Sequence, residues 1–169
     1  MIYLDHNATT PVDPAVCEAV LRVLRDPLLQ ANPSSVHVGG QRARAVVERG
    51  RQQIARALGV GSLQVTLTSG GTEANNLAIF GVARSLQAAG KPAGVVTSPL
   101  EHPSVRGAAA RLRNEGLTVV EVEVNEQGHI SPEQVAATVA RHPDVGLVSL
   151  ALCNHELGNL FEIKNVVSA

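Results

Sequence analysis

Hydrophobic and polar positions change their spacing along the chain in a way that predicts helices and strands. Asp13-Pro14 predicts the start of a first helix, because aspartate caps a first turn and proline fits within it. Apolar residues then recur at helical spacing, at Val16, Val20 and Val23. Residues 26–40 are rich in Pro, Gly, Ser and Asn and predict a loop. A second helix is predicted over residues 41–58, with apolar residues on one side and most arginines on the other.

Beyond this second helix the two kinds of element alternate regularly. Strands are predicted over residues 64–68, 94–97, 118–124 and 145–152, and helices over residues 72–89, 102–115 and 131–142. The strand at 118–124 has alternating glutamates, which favours the edge of a sheet, whereas 145–152 is almost continuously apolar and predicts burial on both faces. The alternation predicts an α/β fold, with a mainly parallel sheet and flanking helices.

Composition narrows the class of protein without naming a function. Apolar residues make up 44% of the 169 residues, which is enough for a globular core. The net charge of −1 gives no electrostatic reason to expect nucleic acid or an anionic membrane as a partner. Cys17 and Cys153 are far apart, so we expect no disulfide framework, a reducing cytoplasm as the location, and Cys153 as a small core residue after its strand.

The segment 68–76, TSGGTEANN, is the strongest local candidate for a binding site. It lies between a predicted strand and a predicted helix, where two glycines let a ligand approach the backbone closely. The free N–H groups of the helix start, the helix dipole and the Thr72 hydroxyl together favour a phosphate site. The alternative is a glycine turn capped by Ser69 or Thr72, with no ligand.

Two further polar positions follow predicted strands. His102 precedes a helix and has an imidazole that stacks on flat rings or carries a proton, with a helix cap or a surface residue as the alternative. Asn154 follows the apolar strand and offers an amide donor, with a turn residue as the alternative. Ligands of open α/β sheets bind at the carboxyl ends of the strands, so we expect these positions and segment 68–76 to converge at one edge. No spacing of metal ligands occurs, and no metal site is predicted.

The motifs, in their order and spacing, resemble those of a known family. They cover about residues 2–160 and lie at residues 3–11 (YLDHNATTP), 32–37 (NPSSVH), 68–76, 101–103 (EHP) and 154–158 (NHELG). On these motifs the chain resembles cysteine desulfurases of the NifS/IscS group, class V aminotransferase-like enzymes of fold type I that use pyridoxal 5'-phosphate (PLP).

The resemblance implies roles for four matched residues. Gly71 and Thr72 would hold the PLP phosphate, and Asn154 would hydrogen-bond the phenolic oxygen of the cofactor. His102 would stack on the pyridine ring and act as a catalytic residue in proton transfer. The implied reaction converts L-cysteine to L-alanine and passes persulfide sulfur to iron–sulfur cluster assembly or tRNA thiolation. A homodimer and a sulfur-acceptor protein are the implied partners.

Two departures from the family's pattern shape what we expect of this chain. His155 stands where the family has a second asparagine. The family's cofactor-binding lysine and catalytic cysteine belong to segments beyond position 169, and neither Lys91 nor Lys164 has the sequence context of that lysine. We therefore expect an N-terminal fragment that is inactive alone.

The resemblance also predicts how the chain is divided and leaves other functions open. Residues 1–15 would be an N-terminal arm that begins a small domain, and residues 16–169 an incomplete PLP-binding large domain. The alternative functions are a non-catalytic half-fold that acts as a binding or dimerisation module, a selenocysteine lyase, or another class V aminotransferase.

Overall fold

A computed structural model describes residues 2–168. The chain divides into two compact units between Leu67 and Thr68. The boundary expected between residues 15 and 16 stays a prediction. No helix within the described residues is long and apolar enough to cross a membrane.

The first unit contains two α-helices and two short 3-10 turns. Helix α1 spans Pro14–Arg25, and its cap is the predicted one, since the Asp13 carboxylate accepts the N–H of Ala15 at 2.7 Å. Helix α2 spans Val38–Leu58 and begins three residues before the predicted start, because the His37 ring caps it by accepting the N–H of Gly40 at 3.3 Å. The 3-10 turns are Pro27–Leu29 and Ser62–Gln64.

The second unit alternates helices and strands. Its elements are α3 (Gly71–Ala88), β1 (Gly94–Thr97), α4 (Pro103–Asn114), β2 (Val119–Glu121), α5 (Pro132–Arg141), β3 (Val145–Val148) and α6 (Ile163–Ser168). The three strands form a parallel sheet in the order β2-β1-β3. The predicted parallel α/β fold is confirmed, and β2 lies at an edge of the sheet as its glutamates indicated.

Strand β1 is buried along its whole length and divides the core in two. Successive side chains of a strand point to opposite faces. Val95 therefore packs with Ile79 and Leu112, from α3 and α4, and Val96 packs with Val135 and Phe161 on the other face. Helices cover both faces of the sheet, so its polar groups reach solvent only at the strand ends.

Two predictions about strands are wrong. Residues 64–68 form no strand, because the backbone of Val65 is occupied locally: its N–H donates to the carbonyl of Ser62 and its carbonyl accepts from Arg51 at 2.6 Å. Strand β3 is not buried on both faces, since its residues alternate between half-buried and exposed. It lies at the second edge of the sheet, and the fully buried position belongs to β1.

Candidate cofactor-binding site

Helix α3 begins at the predicted glycine turn with its first N–H groups uncapped by the preceding residue. Gly70 is the N-cap and has no side chain with which to bond them. A Cβ built on Gly70 or Gly71 meets no atom of the described residues within 4 Å. The chain's own packing therefore does not require glycine at these positions, whereas close approach of a ligand to the backbone does.

A carboxylate fixes the turn that precedes this helix. Glu73 Oε2 accepts the Ser69 hydroxyl at 2.6 Å and the Ser69 backbone N–H at 2.7 Å. These two bonds, the hydroxyl bond first, hold the pKa of Glu73 below its ordinary value. The hydroxyl of Ser69 thus bonds a side chain, and the predicted alternative of a Ser69 cap on the helix N–H groups is not observed.

His102 is the N-cap of α4, which confirms the structural role that the sequence left open. Its Nδ1 accepts the backbone N–H of Ser104 at 3.1 Å and lies 2.8 Å from the Ser104 hydroxyl. The ring is exposed, and its centroid lies 5.1 Å from that of the His155 ring. A cap that uses one ring nitrogen leaves the face and the other nitrogen of the imidazole for a ligand.

One hydrogen bond joins the glycine turn to this histidine. Asn75 Nδ2, in the first turns of α3, donates to the Ser104 hydroxyl oxygen at 2.9 Å. Ser104 in turn contacts His102. The starts of α3 and α4 therefore lie side by side at the carboxyl end of β1, and the predicted convergence of these two elements is observed.

Glu101 was quoted only as part of a motif, and the structure gives it a role of its own. Its side chain is buried, and Oε1 accepts the Ser98 hydroxyl at 3.0 Å and the N–H of Ala151 at 2.9 Å. It thus ties the segment after β1 to the segment after β3. The signal in the sequence was a carboxylate directly after a buried strand, since a buried charge requires such partners.

Asn154 brings the third predicted element to the same edge. Nδ2 donates to the carbonyl of Leu100 at 2.8 Å, and Oδ1 accepts the N–H groups of Glu156 and Leu157 at 2.9 and 2.7 Å. The residue is only 4% exposed and organises the turn, as the alternative interpretation held. An amide carries two hydrogens, and Leu100 uses one of them. The predicted contact with a phenolic oxygen stays a prediction.

The donors at this edge suit the chemistry of PLP. A helix start and a hydroxyl suit a phosphate, an imidazole face suits a pyridine ring, and an amide hydrogen suits a phenolate oxygen. Among residues 2–168, no three His, Cys, Asp or Glu side chains are grouped so as to hold a metal ion. The prediction for Cys153 is wrong: the residue is exposed, because it follows an edge strand and not a buried one.

A parallel sheet with helices on both faces and polar groups gathered at its carboxyl edge defines a ligand-binding α/β protein. The sequence model of the family described as aminotransferase class-V matches residues 2–169, and the chain belongs to that family.

Curated relatives point to a narrower group. The chain is 41% identical over 166 residues to a protein named cysteine desulfurase IscS from Pseudomonas putida, covering 98% of this chain and 40% of that protein. It is 38% identical over 166 residues to a NifS/IcsS protein homolog from Lactobacillus delbrueckii subsp. bulgaricus, covering 98% of this chain and 42% of that protein. The chain thus spans about two fifths of the length of these relatives.

Solved structures agree in fold. A NifS-like protein superposes with a TM-score of 0.87 at 30% identity, over 96% of this chain and 43% of that one. A structure titled SspA in complex with cysteine gives 0.88 at 30% identity, over 98% and 46%. DndA from Streptomyces lividans gives 0.81 at 33% identity, over 99% and 45%.

Proposed function

We propose that this chain forms the phosphate-, ring- and phenolate-contacting part of the cofactor site of a PLP-dependent cysteine desulfurase. The observation that carries the proposal is the hydrogen bond from Asn75 to Ser104, which brings the start of α3 beside His102. The names of the relatives and the structure titled in complex with cysteine support the same substrate.

Each predicted residue has a defined task in this proposal. The N–H groups of Gly71 and Thr72, the Thr72 hydroxyl and the dipole of α3 hold the phosphate. The imidazole of His102 lies against the ring and holds a proton near it. The remaining amide hydrogen of Asn154 bonds the phenolic oxygen. When bound, PLP supplies an electron sink for the bond that breaks in the substrate.

Covalent attachment of the cofactor is not assigned to either lysine of this chain. The backbone N–H of Lys91 bonds the carbonyl of Leu86, in the turn that ends α3. A helix of the length of α3 spans about 27 Å, so Lys91 is far from the helix start at Gly71. Lys164 is exposed on α6. We propose that these 169 residues bind PLP reversibly and do not convert L-cysteine alone.

Protection of His102 from diethyl pyrocarbonate tests the proposed contact with the cofactor. This reagent modifies unprotonated imidazoles, and peptide mass spectrometry reports each histidine separately. PLP at saturation should slow modification of His102 severalfold. His142 lies at the amino end of β3, the opposite edge of the sheet, and should react at an unchanged rate. Equal effects on both histidines, or none on His102, would overturn the proposed site.

Alanine release from L-cysteine tests the activity separately. The 169-residue chain with PLP should release no alanine above the rate of free PLP. Alanine release by this chain would contradict the assignment of covalent attachment and of the sulfur nucleophile to residues other than its own. The homodimer, the sulfur acceptor and the cytoplasmic location stay predictions.

A further inference from the structure

A chain of three polar side chains runs from α3 to the imidazole at the candidate site. Asn75 Nδ2 lies 2.9 Å from Ser104 Oγ, and Ser104 Oγ lies 2.8 Å from His102 Nδ1. The backbone N–H of Ser104 reaches the same ring nitrogen at 3.1 Å. Nδ1 of His102 therefore faces two groups of Ser104 at once.

The chemistry of these groups fixes the direction of the hydrogen bonds. An amide nitrogen only donates, so the Ser104 oxygen accepts from Asn75 and its own hydrogen is available for the ring. The backbone N–H of Ser104 also only donates. Both groups of Ser104 thus require an acceptor at Nδ1 of His102. A hydrogen on Nδ1 would face the backbone N–H directly.

We propose that Asn75 and Ser104 are positioning residues that hold the neutral imidazole of His102 as the tautomer with its hydrogen on Nε2. The cap of α4 fixes the ring in place, and the bond from Asn75 fixes the direction of the Ser104 hydroxyl. The exposed edge of the ring then presents an N–H donor to a ligand.

This tautomer has a consequence for the site that rests on the proposed function. A neutral imidazole with its lone pair engaged at Nδ1 acts toward a bound ligand first as a hydrogen-bond donor and not as a base. Asn75 would thus couple the helix that holds the phosphate to the donor that faces the ring. The tautomer itself is measured without cofactor, so its failure is distinct from failure of PLP binding.

The direct test is 15N NMR of the uniformly labelled full chain without PLP. The spectrum is recorded about two pH units above the ordinary histidine pKa of about 6.5, where the ring is neutral. The signal of His102 is identified by its loss in His102→Asn. We expect a pyridine-like shift at Nδ1 and a pyrrole-like shift at Nε2. The reverse pattern would overturn the proposal.

Reversing the hydrogen bonds gives the second arm of the test. In Asn75→Asp the new carboxylate accepts the Ser104 hydroxyl, which then accepts from Nδ1–H. The ratio of tautomers should change about five- to tenfold toward Nδ1–H, the equivalent of one hydrogen bond. Ser104→Ala should change it in the same direction, and Ser104→Thr, which keeps the hydroxyl, should restore the original ratio.

The matched control adds the same charge one residue along. Asn76 Nδ2 donates to the carbonyl of Thr72 and not to Ser104. Asn76→Asp should leave the tautomer of His102 unchanged. An equal change in both aspartate variants would show that charge near α3, and not the bond to Ser104, sets the tautomer, and would refute the proposal.

Discussion

At the scale of single residues, buried polar side chains build the edge on which the site lies. Glu101 and Asn154 are 6% and 4% exposed, and each bonds backbone groups of a segment distant in sequence. A buried donor or acceptor that loses its partner costs about 1–3 kcal/mol. These two residues therefore define the shape of the site before any ligand arrives.

Replacing Asn154 should destabilise the protein more than replacing an exposed asparagine. Asn154→Ala removes three hydrogen bonds to backbone groups and should lower the free energy of unfolding by about 2–3 kcal/mol. Urea unfolding measures this loss. Asn165, exposed on α6 and bonded to Glu162, is the control, and Asn165→Ala should cost less than about 0.5 kcal/mol. Equal costs would show that the turn does not depend on Asn154.

The turn before α3 should respond to acid through Glu73. The pKa of its carboxyl is lowered from 4.5 by the bonds from Ser69, so the carboxylate stabilises the folded turn above pH 4.5. That stabilisation is lost as the pH falls through the lowered pKa. Above pH 4.5, Glu73→Gln should speed hydrogen exchange of the Ser69 N–H, and the difference from the unchanged protein should vanish in acid.

Glu133 provides the control for this pH dependence. Its pKa is also lowered, chiefly by the Ser131 hydroxyl, but it lies at the start of α5. Glu133→Gln should leave exchange at Ser69 unchanged at every pH. A change at Ser69 in this variant, or none in Glu73→Gln, would be inconsistent with the local carboxylate bond.

At the scale of elements, caps and turns account for what the sequence predicted well. Asp13 and Pro14 set the start of α1, and Ser131 sets that of α5, because the signal is contained in a few adjacent residues. The strand expected over residues 64–68 failed for the opposite reason. A strand needs a partner, and the backbone of Val65 bonds Ser62 and Arg51 instead.

His102 belongs to an element and to the site, and two substitutions separate these roles. His102→Asn keeps a side chain that caps α4 and should change stability by only a few tenths of a kcal/mol, whereas His102→Ala loses the cap and should cost about 1 kcal/mol. Thermal unfolding measures both. Because both variants lose the imidazole, both should weaken PLP binding. Weak binding in His102→Ala alone would assign the histidine to the cap only.

At the scale of the whole molecule, the class of fold followed from the alternation of elements, and the order of strands did not. The most apolar run, ending in β3, was expected at the centre, but β3 lies at an edge and β1 is buried throughout. A strand's neighbours are not contained in its own sequence. The convergence of segment 68–76 and His102 followed from one rule of α/β sheets, while the link through Asn75 and Ser104 required coordinates.

The central claim is that the start of α3 holds the phosphate of PLP, and the most direct measurement compares PLP with pyridoxal, which lacks the phosphate. Isothermal titration of the chain should give an affinity at least tenfold higher for PLP. Thr72→Ala should remove most of that preference, and Thr118→Ala, at the amino end of β2, should retain it. Equal affinity for the two compounds, or a preference that survives Thr72→Ala undiminished, would contradict the account.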